Sequence, residues 1–112
     1  MNKGTFANLF SESLSPLIPA IQWWGFSGSY AHNPMSTELV QGKDVDILIW
    51  LDNKSQSDEI LKTIAMLTLK CNVLIHPVVL LDQEKEKYQA IEMYRSMIES
   101  VEKIYESQNP QK

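Results

Sequence analysis

The sequence has a single cysteine, no long apolar run and no excess of positive charge. Because Cys71 has no second cysteine to pair with, an internal disulfide is excluded, and a lone thiol fits the reducing cytosol. No apolar run reaches the roughly 20 residues that a membrane-spanning helix needs, and the polar N-terminus lacks the pattern of a signal peptide. We therefore expect a cytoplasmic protein that does not act in a membrane.

The charge and the length narrow the class of protein further. A net charge of −4 leaves no basic stripe to offset the repulsion of a phosphate backbone, so extended nucleic acid is not an expected partner. A single nucleotide stays possible, because a bound metal ion would neutralise its charge. At 112 residues, with 44% apolar side chains and no repeats, the chain is long enough for one domain over residues 1–112.

Apolar periodicity and turn residues predict an alternation of helices and strands. The predicted elements are a helix over 3–15, a strand over 21–27, a loop insertion at about 33–42, a strand over 45–51, a helix ending near 70, a strand over 73–81, a helix over 83–106 and a frayed tail from about 107. The third strand is a nearly continuous apolar run, which predicts burial on both faces. This order indicates an α/β (α+β) fold class, a small mixed β-sheet flanked by helices.

Two aspartates in the second strand are candidate metal ligands. Asp44 and Asp46 are two positions apart, so they share a strand face. The opposite, core face is filled by Val45, Ile47, Ile49 and Leu51. Paired carboxylates repel each other unless a cation lies between them, which favours a hard divalent ion such as Mg²⁺ or Mn²⁺. The alternative is that the two aspartates are only polar residues at the beginning of a strand and bind no metal ion. Trp50 shares the face, either as a core side chain or as a surface on which a base stacks.

A Gly-Ser pair follows the first strand. Glycine lets the backbone approach a phosphate closely, and the Ser29 hydroxyl adds a donor beside Gly28. If Tyr30 and Ala31 open a helix, its first N–H groups favour an anion at the same place. The turn and the aspartates together predict a metal–nucleotide site.

These residues resemble the nucleotidyltransferase superfamily related to DNA polymerase β, in its small, single-domain branch, the minimal nucleotidyltransferase (MNT) family. That branch has a hydrophobic residue, Gly-Ser-x-Ala-x-Gly, a spacer, and then Ser-Asp-hydrophobic-Asp-hydrophobic. The matching residues here are Gly28, Ser29, Ala31, Asp44 and Asp46.

The sequence departs from this pattern at three points. Asn33 replaces the second glycine, Lys43 replaces the serine before the first aspartate, and the spacer is longer across residues 32–42. Asparagine tolerates left-handed backbone angles and loops tolerate insertions, so the turn and the fold can survive these changes.

The resemblance implies a site and a reaction. Asp44 and Asp46 would be catalytic and would bind Mg²⁺ or Mn²⁺, while Gly28 and Ser29 would bind the phosphates of a nucleoside triphosphate. His32 stands where the family often has arginine, so it either contacts a phosphate or is a solvated loop histidine. The implied reaction transfers a nucleotidyl group, with AMP as the first candidate, to a hydroxyl acceptor.

A third carboxylate that active members usually carry on the next strand is not evident. The polar side chains between residues 72 and 81 are those of Asn72 and His76. His76 is either a catalytic general base that works near neutral pH or a strand-edge histidine without a catalytic role. Whether the protein is an active enzyme is therefore open at this point.

The predicted last helix carries an apolar stripe, formed by Tyr88, Ile91, Tyr94, Ile98, Val101 and Tyr105. Most of this stripe is expected to pack on the sheet, and surplus apolar surface indicates a homodimer or a helical partner protein. The resemblance implies a similar partner, since small nucleotidyltransferases are often paired with a helical substrate-binding subunit or with the toxin of a toxin–antitoxin pair. Two functions stay open: an active nucleotidyltransferase, or a catalytically weak or inactive binding or antitoxin subunit.

Overall fold

The computed structural model describes residues 1–107 and contains a four-stranded mixed sheet with helices on both faces. The elements are α1 (Lys3–Leu14), β1 (Ile21–Ser27), β2 (Val45–Leu51), α2 (Ser57–Cys71), β3 (Ile75–Leu81), α3 (Lys85–Ala90), α4 (Glu92–Ser100) and β4 (Glu102–Glu106). The strand order is β3-β2-β1-β4; β2 is antiparallel to β1 and parallel to β3, and β4 is antiparallel to β1. The predicted fold class is confirmed. Beyond Ser107, the tail predicted to fray lies outside the described residues.

One face of the sheet packs against α1 and α2. Asn2 caps α1 by accepting a hydrogen bond from the Thr5 N–H (2.8 Å), and the helix ends just before Pro16. The strands contribute alternate apolar side chains to this first core, and all four of those predicted from β2 are fully buried: Val45, Ile47, Ile49 and Leu51. The period-2 pattern therefore identified the core face of β2 correctly.

The other face carries a second, aromatic core beneath α3 and α4. Trp23 and Trp50 stack with ring centroids 5.6 Å apart, and Tyr88 meets Trp50 edge-on at 5.7 Å. Trp24 points to the opposite face and is fully buried in the first core. Trp50 is thus a core side chain, which answers the question of whether it offers a surface for a base.

The single helix predicted over 83–106 is wrong. The chain leaves helical geometry at Ile91 (φ −105°, ψ 118°) and again at Val101 (φ −67°, ψ 143°), and then forms β4. The outer edge of β1 needs hydrogen-bond partners, and pairing with β4 supplies them, so tertiary pairing outweighs local periodicity. Gly25 permits this pairing, because a β-carbon there would collide with the backbone of Glu102. The continuous apolar stripe is consequently not formed.

The burial predicted for the third strand is also wrong. β3 begins at Ile75 rather than Val73 and lies at the edge of the sheet, where most of its side chains are half-buried and His76 is exposed. Pro77 fits this position, because an edge strand has N–H groups without a partner strand. An apolar run indicates a strand but does not distinguish a central strand from an edge one.

Candidate functional site

The turn after β1 is a single 3₁₀ turn over Gly28–Tyr30, not the start of an α-helix. Gly28 has a left-handed backbone angle (φ +64°), and its carbonyl accepts a hydrogen bond from the Ala31 N–H (3.2 Å). The Tyr30 side chain is buried, and its hydroxyl accepts from the Val40 N–H (2.7 Å). The expected helix N-terminus is therefore absent here, and exposed Ser29 with the Gly28 backbone forms the turn's outer surface.

Asp46 lies beside this turn because β1 and β2 pair in a fixed register. Ser27 is the partner of Asp46 across the antiparallel pair, so the chain reaches Gly28 directly beside the Asp46 carboxylate. A β-carbon at position 28 would collide with Asp46 Oδ2. Glycine is therefore needed at position 28 both for its backbone angle and for the space that the carboxylate occupies.

His76 lies on the other side of Asp46. The two residues are direct partners in the parallel β2–β3 pair, and His76 Nδ1 is 3.0 Å from Asp46 Oδ1. An ionised carboxylate only accepts hydrogen bonds, so with Asp46 in that form Nδ1 is the donor, and Nε2 of a neutral ring is free to accept a proton. About 65% of the His76 side chain is exposed, so the ring can reach a ligand from solvent.

A cavity of about 250 Å³ joins these residues. Its walls are formed by β1, the turn after β1, β2, β3 and α4. The lining residues are Ser27, Gly28, Asp46, His76, Val78, Met97 and Ser100. Small-molecule sites usually measure about 300–1,000 Å³, so a phosphate group fits inside and a larger ligand would extend into solvent.

Three other predicted site residues, Ser29, Asp44 and His32, lie outside the cavity lining. Asp44 immediately precedes β2 and is exposed. His32 has a left-handed backbone angle (φ 66°), and its Nε2 is 2.9 Å from the Ser100 carbonyl oxygen at the end of α4. The structure thus brings Gly28, Asp46 and His76 together.

The donor set is small for a metal ion. Within residues 1–107, no group of three or more His, Cys, Asp or Glu side chains is arranged to hold one. Asp46 is about one-third exposed at the cavity, with Asp44 two residues before it in the chain. Mg²⁺ is commonly held by one or two carboxylates, with water and substrate phosphates as its other ligands, so these residues fit an ion that arrives with a nucleotide.

Sequence reasoning missed two residues that shape the turn, Lys3 and Glu102. The Glu102 carboxylate accepts hydrogen bonds from Lys3 Nζ (2.5 Å) and from the His32 N–H (2.7 Å). One signal was present, because Lys3 lies on the same face of α1 as the buried Phe6 and Phe10. No local sequence pattern distinguished Glu102, which lies within the helix predicted over 83–106.

Comparison of the chain with protein-family models, with curated proteins and with solved structures finds no match. No helix in the described part of the chain is long and apolar enough to cross a membrane. The chemistry assigned to the cavity therefore depends on its own geometry.

Proposed function

We propose that the protein is a small nucleotidyltransferase that binds a nucleoside triphosphate and a divalent metal ion at this cavity, and transfers a nucleotidyl group to a hydroxyl acceptor. The observation that carries the proposal is the convergence of three segments on one cavity: the left-handed turn at Gly28, the carboxylate of Asp46 and the ring of His76. AMP from ATP is the first candidate for the transferred group.

In this proposal the turn at Gly28 binds the phosphates, and the aspartates bind the metal ion. The Gly28 N–H at the cavity and the Ser29 hydroxyl, which is exposed just outside the cavity lining, would donate hydrogen bonds to terminal phosphates. Asp46, with Asp44, would hold Mg²⁺ or Mn²⁺, which neutralises phosphate charge and stabilises the leaving pyrophosphate. Because the chain has a net charge of −4, a bound ion would reduce the charge repulsion that a triphosphate meets.

His76 is the candidate general base. Its hydrogen bond to Asp46 orients the ring and leaves Nε2 to take the proton of the acceptor hydroxyl. The acceptor oxygen then bonds to the α-phosphorus, and the bond from that phosphorus to the pyrophosphate oxygen breaks. Because His76 lies beside Asp46, it can accept the proton that a third carboxylate would accept in the family's active members.

A second function is a binding or antitoxin subunit without catalysis. It is favoured by the identity of the residue opposite Asp46, which is a histidine rather than a carboxylate, and by the exposed position of Asp44 before β2. α4 also exposes apolar side chains at its start, Met93 by 62% and the preceding Ile91 by 38%, which suits a helical partner.

Isothermal titration calorimetry tests the proposal. ATP and the other triphosphates are titrated into the protein with Mg²⁺, with Mn²⁺ and with neither ion. We expect binding that requires the ion and that Asp46→Asn abolishes. The variant should unfold at an unchanged or higher temperature, because its amide oxygen still accepts from His76 and the repulsion of paired carboxylates is removed. Asp58→Asn, at an exposed position on α2, is the matched control.

The outcomes separate the two functions. Binding followed by transfer of label from α-labelled ATP, slowed in His76→Gln, supports the enzyme. Binding without transfer to any acceptor, or no binding by the folded protein, supports the non-catalytic subunit. An Asp46→Asn variant that binds as the wild type does would contradict the metal assignment.

A further inference from the structure

An ion pair joins the two ends of the described chain beneath the Gly28 turn. Lys3, on the first turn of α1, is fully buried, and its Nζ lies 2.5 Å from Glu102 Oε1 at the start of β4. Nζ also lies 4.8 Å from the centre of the Phe26 ring. A lysine without solvent contact is tolerated only when its charge is paired and its protons are hydrogen-bonded.

The remaining hydrogen bonds of this pair go to the segment that follows Gly28. Lys3 Nζ donates to the Asn33 carbonyl (2.7 Å), and Glu102 Oε1 accepts from the His32 N–H (2.7 Å). Asn33 Nδ2 in turn donates to the Ser29 carbonyl (3.0 Å). The ion pair thus contacts His32 and Asn33 directly, and it reaches Ser29 through the Asn33 side chain.

Residues 28–33 need outside support. They contain two left-handed residues, Gly28 and His32, and His32 adopts that conformation although it has a β-carbon. Such a conformation costs free energy and persists where surrounding contacts impose it. The contacts to His32 are its N–H bond to Glu102 and its ring bond to the Ser100 carbonyl (2.9 Å), both at the junction of α4 and β4.

We propose that Lys3 and Glu102 are positioning residues: through His32 and Asn33 they hold the shape of residues 28–33, the segment that brings Gly28 to the cavity. Neither side chain lines the cavity itself. The effect on nucleotide affinity rests on the proposed function, whereas the effect on the shape of the segment does not. If the ion pair only connected α1 to β4, the backbone of residues 28–33 would form its hydrogen bonds with other groups.

Amide hydrogen exchange followed by NMR tests the positioning directly. In Glu102→Ala, the His32 N–H loses its acceptor, and we expect its exchange to accelerate by roughly tenfold relative to amides of β2. Glu102→Gln retains an acceptor oxygen and should keep most of the protection. Glu106→Ala is the matched control, because it removes a carboxylate of the same strand from an exposed ion pair with Lys103.

Calorimetric titration of Mg²⁺-ATP into the same variants forms the second arm. We expect Glu102→Ala to weaken binding by roughly tenfold, Glu102→Gln to recover most of it, and Glu106→Ala to leave it unchanged. If the wild type binds no triphosphate, the proposed function fails while the exchange arm still decides the positioning role.

Two results would overturn the inference. One is unchanged His32 exchange in folded Glu102→Ala; the other is acceleration in β2 equal to that at His32, which would indicate a general loss of stability. Should Glu102→Ala not fold, Glu102→Asp withdraws the carboxylate by one methylene, keeps its charge and is read in the same way.

Discussion

At the scale of single residues, Gly28 combines two separate demands. Its backbone angle is left-handed, which costs a residue with a β-carbon free energy in any surroundings. In addition, the Asp46 carboxylate occupies the place of that β-carbon. The sequence predicted a glycine turn here, but it could not show that the glycine and the aspartate constrain each other.

Substitution of Gly28 by alanine should therefore cost more than the same substitution at another left-handed glycine. Gly42 is the matched control, because its φ is +85° and no heavy atom lies within 4 Å of an added β-carbon. We expect Gly42→Ala to lower the free energy of unfolding by about 1 kcal/mol, and Gly28→Ala to lower it by a further ~1–2 kcal/mol. Urea denaturation measures both.

Combination with Asp46→Ala separates the two contributions at position 28. With the carboxylate removed, the loss in free energy of unfolding caused by Gly28→Ala should fall to that of Gly42→Ala, since only the unfavourable backbone angle then opposes the alanine. Equal costs of the two glycine substitutions in the wild-type background would show that the carboxylate moves aside freely.

At the scale of elements, the chain as far as the end of α2 at Cys71 was predictable, and the segment over 83–106 was not. α1, β1, β2 and α2 are specified by local signals: the apolar periods, the prolines after α1 and the turns around Gly28 and Asn53. Gly28, Asp46 and His76 could be placed as candidates because each follows from one turn or one strand.

The segment over 83–106 carries a helical period that holds only in part. Its first residues form α3 and α4, but β4 pairs with β1, a strand about 80 residues earlier in the chain. The paired residues of β4 are Glu102, Lys103, Tyr105 and Glu106. The stability gained from this pairing comes from the backbone groups at the open edge of β1. A short stretch of sequence around β4 carries no information about that edge. For the same reason the Lys3–Glu102 pair was out of reach of sequence reasoning.

The Tyr88 side chain connects α3 to the end of β3 through its hydroxyl. Removal of this hydroxyl tests how much the connection contributes to stability. The hydroxyl accepts from the Leu81 N–H (3.0 Å) and donates to Glu84 Oε1 (3.2 Å). Tyr88→Phe leaves the Leu81 N–H without this acceptor, so we expect the free energy of unfolding to fall by about 1–3 kcal/mol. Tyr94→Phe, in the neighbouring ring of the same cluster, is the control.

The same residue gives an alkaline signature. Burial raises the pKa of Tyr88 above 10.0; the Leu81 hydrogen bond opposes the rise and the Glu84 carboxylate adds to it. Because the folded state holds this proton more tightly, stability is unaffected below pH 10 and is lost as pH rises above it. Tyr88→Phe should lose less stability than the wild type between pH 9 and 11. Parallel pH profiles would contradict this assignment.

At the scale of the whole molecule, the Lys3–Glu102 pair closes the sheet's β4 edge against α1. Burial alone would raise the pKa of Glu102, but the hydrogen bonds from Lys3 Nζ and the His32 N–H, with the Lys3 charge, hold it below 4.5. A carboxyl with a lowered folded pKa contributes stability above its unfolded pKa, and that contribution disappears as pH falls through the folded value.

Acid denaturation should reveal this contribution. Between pH 6 and pH 3, the free energy of unfolding of the wild type should fall more than that of Glu102→Gln, whose side chain does not titrate. Glu106→Gln removes a carboxyl with an exposed partner and should follow the wild-type profile. Urea titrations at each pH give the free energies, and identical slopes for wild type and Glu102→Gln would refute the coupling.

The outer surface of α4 decides whether the molecule has a face for a partner. Ile98 packs against the aromatic core of Trp23 and Trp50, whereas Met93 is 62% exposed near the start of the same helix. A charge at position 98 would be placed in that core, so we expect Ile98→Glu to lower the free energy of unfolding by about 1–3 kcal/mol. Met93→Glu should change it by no more than ~0.5 kcal/mol.

These two substitutions separate packing from assembly. If the protein pairs with a helical partner or with a second copy through α4, sedimentation velocity should show Met93→Glu as a folded monomer under conditions where the wild type is assembled. An assembly that survives Met93→Glu would exclude the exposed start of α4 as the interface. Stability of Ile98→Glu equal to that of the wild type would show instead that α4 does not pack on its own sheet, so the apolar surface available to a partner would be the whole helix face.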